Sequence, residues 1–161
     1  MVKVLVVINM VHIKPRKIHK KYLSHYLHSG QQKETFDLHL LDISTNHIST
    51  QIKFKKFHTD KEGYNNPLGD HLSMNSALTI FSQSTIAMEC LNNGKTKNEL
   101  GEVISINFNL KTSTPISIKD QIICKVKILS ETSHKLGTKK KCEFSFNNGA
   151  FIGTCDYIVQ N

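Results

Sequence analysis

Ser73–Asn92 reads SMNSALTIFSQSTIAMECLN, a twenty-residue stretch in which Glu89 is the only charged residue. Met74, Ala77, Leu78, Phe81, Thr85, Met88 and Leu91 recur at helical spacing and share one broad face. The opposite face carries Ser76, Thr79, Ser82, Gln83 and Ala87, small or polar but uncharged. A helix this poor in charge has no face suited to bulk water, so another element must wrap it. Its small residues also allow a backbone or a ligand to approach closely. Gly94 stands where a helix C-cap glycine is expected.

The wrapper follows in the sequence. From Gly101 onward the chain predicts four antiparallel strands arranged as a meander. Ile104, Ile106, Phe108 and Leu110 alternate with Ser105, Asn107, Asn109 and Lys111, and Ile122, Cys124, Val126 and Ile128 alternate with a second, more polar set. A loop, SETSHKLG from Ser130 to Gly137, leads to a strand with Cys142, Phe144 and Phe146. Asn147-Asn148-Gly149 predicts a hairpin turn, since Asn and Gly accept positive φ at low cost. The last strand spans Ala150 to Val159. Upstream of the helix, Phe36, Leu38 and Leu40 and then Ile48, Ile52 and Phe54 predict a hairpin turning at Asn46. His58 to His71 has loop chemistry, rich in Gly, Asn, Asp and a proline. The class is α+β, an antiparallel β-sheet wrapped around one long central helix.

The N-terminal segment, residues 1–35, reads as an extension. Val2, Val4, Val6 and Ile8 suit a short strand. Pro15 opens a predicted basic amphipathic helix with Ile18, Tyr22, Leu23, Tyr26 and Leu27 on its apolar face and Gly30 at its end.

At 161 residues the chain is long enough for one domain with a core that needs no disulfide or metal. The formal charge of +8 is almost all lysine, with Arg16 the only arginine. Guanidinium forks are the usual readers of phosphate and guanine, so a lysine surplus points away from a nucleic-acid partner. Cys90, Cys124, Cys142 and Cys155 lack metal-ligand spacing and read as reduced core thiols, and the histidines show no paired ligand spacing, so no metal site is expected. The apolar run Val2–Met10 is too short to span a membrane and lacks a cleavage site. A cytoplasmic protein with no membrane partner is expected.

The stretch NPLGDHLSMNSALTIFSQSTIAM, residues 66–88, resembles the loop and helix start of the hot-dog acyl-CoA thioesterases, and GEVISINFNLKTSTPISIKDQIICKVKIL, residues 101–129, is similar to their next two strands. The resemblance implies a hot-dog domain over residues 36–161. It places Asn75 and Ser76 at the family's two glycines, Met74 at its histidine and Gln83 at its acidic residue. In a second register His71 is the leading histidine and Ile80 falls at the acid. In that family the helix carboxylate attacks, or activates water, while N–H groups at the helix start polarise the thioester carbonyl. Gln83 cannot accept a proton at neutral pH, but it can orient a water or hold a carbonyl.

The resemblance therefore implies His71, Asn75, Ser76 and Gln83 as the reaction centre and Asn66 and Ser82 as substrate contacts. His134, Lys135 and Gly137, with Lys139, Lys140 and Lys141, are implied as the patch for the phosphates of coenzyme A. Coenzyme A would be part of the substrate, so no separate cofactor is expected. The expected ligand is an acyl-CoA or acyl carrier protein thioester, in a subunit-interface pocket beside the helix of a homodimer or homotetramer. The expected activity is thioester hydrolysis, with binding of an acyl ligand without turnover as the alternative.

Overall fold

A computed structural model describes residues 14–24, 35–56 and 71–160. In chain order the elements are β1 (Arg16–Lys17), β2 (Thr35–Ser44), β3 (His47–Lys56), α1 (Met74–Asn92), α2 (Lys97–Leu100), β4 (Val103–Thr112), β5 (Ile122–His134), β6 (Gly137–Phe146) and β7 (Phe151–Gln160). The seven strands form one sheet in the order β1-β2-β3-β5-β6-β7-β4, with every neighbouring pair antiparallel.

The predicted helix Ser73–Asn92 matches α1, which begins one residue later because Ser73 is its N-cap. Twelve of its nineteen residues are buried, including every one from Gln83 to Cys90. Eight consecutive buried residues turn through more than two full turns, so this half of α1 has no solvent face. The inward residues of the sheet supply the cover: Leu38, Ile48, Ile52, Ile122, Cys124, Val126, Cys142, Phe144, Phe146, Cys155 and Tyr157 are all buried in one cluster with the helix. Small helix residues let the sheet come close. Ser84 bonds Thr50 of β3 at 2.9 Å, and both are fully buried.

Aromatic contacts tie the helix to the strands at the far end of the sheet. Phe81 lies 4.4 Å from Phe144 of β6, ring centre to ring centre, and 5.7 Å from Phe108 of β4, while Phe108 stacks on Phe144 at 5.2 Å. At the other end of the helix, Asn92 donates to the carbonyls of Ser44 and Thr45 at 3.0 and 3.1 Å. The hairpin turn expected at Asn46 is thereby held by the C-terminus of α1.

Three expectations are corrected. The helix expected from Pro15 is replaced over residues 16–24 by the two-residue strand β1 and a single 3₁₀ turn at Lys20–Tyr22. Ile18 donates its N–H to Leu38 at 2.8 Å and both Ile18 and Leu23 are buried, so the apolar spacing serves an extended segment pinned to β2 and the core. The rest of that prediction, the strand at Val2–Ile8 and the loop residues 57–70 lie outside the described residues. Second, β4 does not pair with β5 as a meander requires; it crosses the sheet to pair with β7. Its alternation does not give a buried face either. The register slips at Ile106, and Ile104, Ile106 and Phe108 remain 37%, 43% and 39% exposed at the sheet edge. Third, the loop at Ser130–Gly137 is mostly strand, with β5 continuing to His134 and turning through Lys135 and Leu136.

The turn between β6 and β7 has the expected chemistry, with φ of +43° at Asn147, +57° at Asn148 and +100° at Gly149. Gly153 has a different role. A Cβ there would collide with the Asn109 carbonyl and the Phe144 ring, so β4 and β6 close over a position that only hydrogen can occupy. Gly153→Ala is expected to cost about 1–3 kcal/mol through overpacking, lowering the melting temperature by at least about 3 °C. An unchanged melting curve would show that the strands are not closed over this residue.

Candidate functional site

The C-terminal half of α1 carries the one charge of the helix into the core. The Glu89 side chain is only 2% exposed and meets two partners. Tyr157 of β7 donates its hydroxyl to Oε1 at 2.6 Å, and Lys140 of β6 donates from Nζ to Oε2 at 2.9 Å. Lys140 also pairs with Glu131 of β5 at 3.2 Å. β6 and β7 place Lys140 directly opposite Tyr157, so two neighbouring strands present a cation and a hydroxyl to the same carboxylate. Burial, and then the adjacent Glu89 carboxylate, push the Tyr157 phenol far above its usual range, so it remains a protonated donor at neutral pH. Opening such a pair from one side costs about 3–5 kcal/mol, because the remaining charge stays buried. On the same two strands Cys142 faces Cys155 across the ladder. All four cysteines are buried free thiols; burial pushes Cys90 up to about 11 and Cys124 up to about 12.

Gln83 is fully buried and does not face open space. Its Oε1 accepts from the Ser24 N–H at 2.9 Å and its Nε2 donates to the Ser24 carbonyl at 3.1 Å. The amide thus completes a two-point bond to a stretch of backbone distant in sequence, much as a neighbouring strand would. Ser24 is itself buried, so these are partners that water does not replace.

At the start of the helix, the Ser73 hydroxyl accepts the Ser76 N–H at 3.0 Å and lies 2.7 Å from the Ser76 hydroxyl. The amide that the resemblance assigns to polarising a carbonyl is therefore engaged by the N-cap. Asn75 is exposed, and its carbonyl receives the Thr79 hydroxyl at 3.0 Å. His71 is half-buried and forms an isolated β-bridge with Ser117. Asn66 lies outside the described residues.

A cavity of about 400 Å³ opens between α1 and the edge strand β4. Phe81, Ser82, Thr85 and Ile86 form its helix wall, Val103, Ile104 and Ser105 its strand wall, and Ser24, Lys97, Glu102 and Tyr157 complete the lining. Ser82 thus lines the cavity, and Gln83 lies behind Ser24 rather than in the lining. A larger hollow of about 640 Å³ lies over the outward residues Lys125, Lys127, Glu143 and Thr154, on the sheet face turned away from α1. Its lining contains no helix residue, so the smaller cavity is the one the central helix can serve.

The turn expected to hold phosphates is a tight hairpin. His134 Nδ1 accepts the Leu136 N–H at 3.2 Å, and Lys135 is exposed. Gly137 has φ of +142°, and a Cβ there would strike the Val159 carbonyl, which gives the glycine a packing role. Of the three lysines that follow, Lys139 pairs with Asp156 at 3.2 Å and Lys140 with Glu89 and Glu131. Lys141 is exposed. Sequence reading did not find Tyr157 or Ser24 as members of the site, and it placed Lys140 in the phosphate patch where the structure pairs it with Glu89. The isolation of Glu89 in an uncharged helix was the available signal, since a buried carboxylate needs a donor from elsewhere in the chain.

An antiparallel sheet curled around one long helix is the hot-dog fold, and the chain has it. Solved structures share the arrangement. An uncharacterized protein from Pyrococcus horikoshii, PH1136, superposes with a TM-score of 0.52 at 13% identity, covering 90% of this chain and 95% of that one. The Streptococcus mutans protein smu.793, solved bound to acetyl-CoA, gives 0.51 at 9% identity over 83% of this chain and 95% of the other. AziG of S. sahachiroi gives 0.50 at 9% identity over 77% and 91%. At these identities the likeness is one of fold. No protein-family model matches the chain, and no curated protein matches it in sequence.

The Gln83 contact gives a direct test. Gln83→Leu keeps the volume of the side chain but strips Ser24 of both partners, at about 1–3 kcal/mol for each buried group left unsatisfied. Hydrogen exchange at the Ser24 amide should accelerate at least tenfold. Unchanged protection there would show that Gln83 does not hold this segment.

Proposed function

We propose that this chain binds acyl thioesters, holding the acyl group of a coenzyme A or acyl carrier protein ester in the cavity between α1 and β4. The observation that carries this reading is a ligand-sized hollow of about 400 Å³ against the central helix, with Ser82 and Thr85 beside Phe81 and Ile86. Phe81, Ile86, Val103 and Ile104 give the cavity an apolar side for a short hydrocarbon chain, and Ser82, Thr85, Lys97 and Glu102 give it a polar side suited to the thioester carbonyl. The acetyl-CoA held by the S. mutans protein of the same fold supports the same class of ligand. Coenzyme A enters as part of that ligand. Its phosphates fall to His134 and Lys135 at the β5–β6 turn, where lysine serves as a point charge without fork geometry.

Hydrolysis is the second reading, favoured by the position of Ser24. The residue that holds Gln83 itself lines the cavity. Displacing Ser24 would turn the Gln83 amide toward the ligand, where it can orient a water. Asn75 and Ser76 would then contribute from the helix start, with His71 nearby in sequence. In the described arrangement Gln83 is committed to Ser24, and binding is the better supported activity.

The protein is proposed to act as a dimer in a reducing, cytoplasmic setting, which the four free thiols support. Among the described residues the sheet ends at β4, whose Ile104, Ile106 and Phe108 remain more than a third exposed. An edge strand of this kind is a template for another strand, and a second copy pairing antiparallel would close it with two-fold symmetry. Because β4 also walls the cavity, that copy would lie against the bound ligand.

Two measurements test these proposals. Acetyl-CoA should raise the melting temperature saturably, the ligand at a hundred times its dissociation constant contributing about 2.7 kcal/mol. Release of thiol under the same conditions, lost in Gln83→Ala, would establish the hydrolase reading; no stabilisation by any acyl-CoA would sink both. Sedimentation should give a dimer for the wild type and a monomer for Ile106→Lys. A monomeric wild type at tens of micromolar disposes of the edge-strand dimer.

A further inference from the structure

We infer that the hydrogen-bonded pair Tyr157–Glu89 is the floor of the acyl cavity and restricts it to short acyl chains. The inference rests on the acyl-binding reading of that cavity and adds which acyl groups it admits.

Two hollows lie back to back at the C-terminal half of α1. The first is the cavity of about 400 Å³ between α1 and β4, and Tyr157 is part of its lining. The second, of about 360 Å³, is bounded by Glu89, Glu99, Glu131, Lys140 and Gln160, and Glu89 is part of its lining. Tyr157 and Glu89 are joined by the 2.6 Å hydrogen bond, and both residues are 1% exposed. The pair therefore forms the partition between the two hollows. Ser82, Thr85 and Ile86 advance along α1 toward Glu89, which places the partition at the end of the helix wall and not on its side.

The partition resists a hydrocarbon for an electrostatic reason. Behind Tyr157 stand the Glu89 carboxylate, the Lys140 ammonium and the Glu131 carboxylate, linked at 2.9 and 3.2 Å. An alkyl chain that pushed past the phenol would separate a buried hydrogen-bonded ion pair and supply no replacement bonds, the change such networks tolerate least. The second hollow offers it Leu100 and Val159 among Glu89, Glu99, Glu131 and Lys140, against Phe81, Ile86, Val103 and Ile104 in the first. An acyl chain thus gains by burial only up to Tyr157. From Phe81 to Ile86 the helix wall spans about 7.5 Å at 1.5 Å per residue, the reach of an acyl chain of about six carbons.

The signature is a break in the dependence of affinity on chain length. Each methylene buried in an apolar site strengthens binding about fourfold, so affinity should climb from acetyl- to hexanoyl-CoA and then fall. Binding of acetyl-, butyryl-, hexanoyl-, decanoyl- and palmitoyl-CoA to the full chain, followed by calorimetry, reads this directly. Decanoyl-CoA is expected to bind at least tenfold more weakly than hexanoyl-CoA. Tyr157→Ala and Glu89→Ala each remove one side of the partition and should move the optimum to decanoyl-CoA. Tyr157→Phe, which keeps the ring but loses the bond to Glu89, should lie between. An affinity that keeps rising to palmitoyl-CoA in the wild type overturns the floor and leaves acyl binding standing. No binding by any member of the series overturns both. The wild-type series decides the matter even if neither alanine variant folds.

Discussion

The constraint on which this molecule depends is the burial of α1 from Gln83 to Cys90. A stretch of helix with no wet face must be enclosed by something that satisfies every polar atom it carries, and this one carries a carboxylate. Glu89 is tolerated because β6 and β7 deliver Lys140 and Tyr157 to it from adjacent positions in the ladder. The enclosing sheet is therefore fixed in register by charge as well as by hydrophobic contact, since a one-residue slip would turn Lys140 and Tyr157 to the opposite face. A buried ion pair adds little net stability compared with apolar residues of the same shape, but it penalises any arrangement that separates its members. That penalty acts on alternative registers and on anything entering the cavity from the other side.

Gln83 meets the same requirement by another route. The middle of the helix needs cover where the sheet does not reach, and residues 18–24 supply it, tied to Leu38 at one end and to Gln83 at the other. A carboxylate at position 83 would accept the Ser24 N–H but could not donate to the Ser24 carbonyl. Glutamine is the side chain that satisfies both backbone groups, which gives its presence in this helix a structural cause. The same contact places Ser24 in the lining of the cavity, so the covering segment forms one of its walls.

Much of the fold was legible because it rests on local periodicity. The uncharged run from Ser73, the alternation from Phe36 to Phe54 and again from Ile122 onward, and the Asn147-Asn148-Gly149 turn each carry their own signal. Two of the errors share one origin. Ile18 and Leu23 have spacing that suits a helix, yet a strand edge at β2 was available and the backbone paired with it. Ile106 belongs to a clean alternation, yet β4 lies at the sheet edge and slips register there. In both places a partner distant in sequence overrode the local pattern. The site was less legible than the fold because its contacts link residues 51 to 68 positions apart: Lys140 and Tyr157 to Glu89, and Gln83 to Ser24.

By itself, the sequence determined that a charge-poor helix must be enclosed and that the strands following it would enclose it, since hydrophobic period and turn chemistry are local properties. It also showed Glu89 to be the one charge of that helix. Only the tertiary structure decided what that charge meets, where β4 lies and what Gln83 holds. Those outcomes depend on which backbone edges and buried polar groups come within hydrogen-bond reach once the sheet has closed around the helix, and no spacing along the chain encodes them.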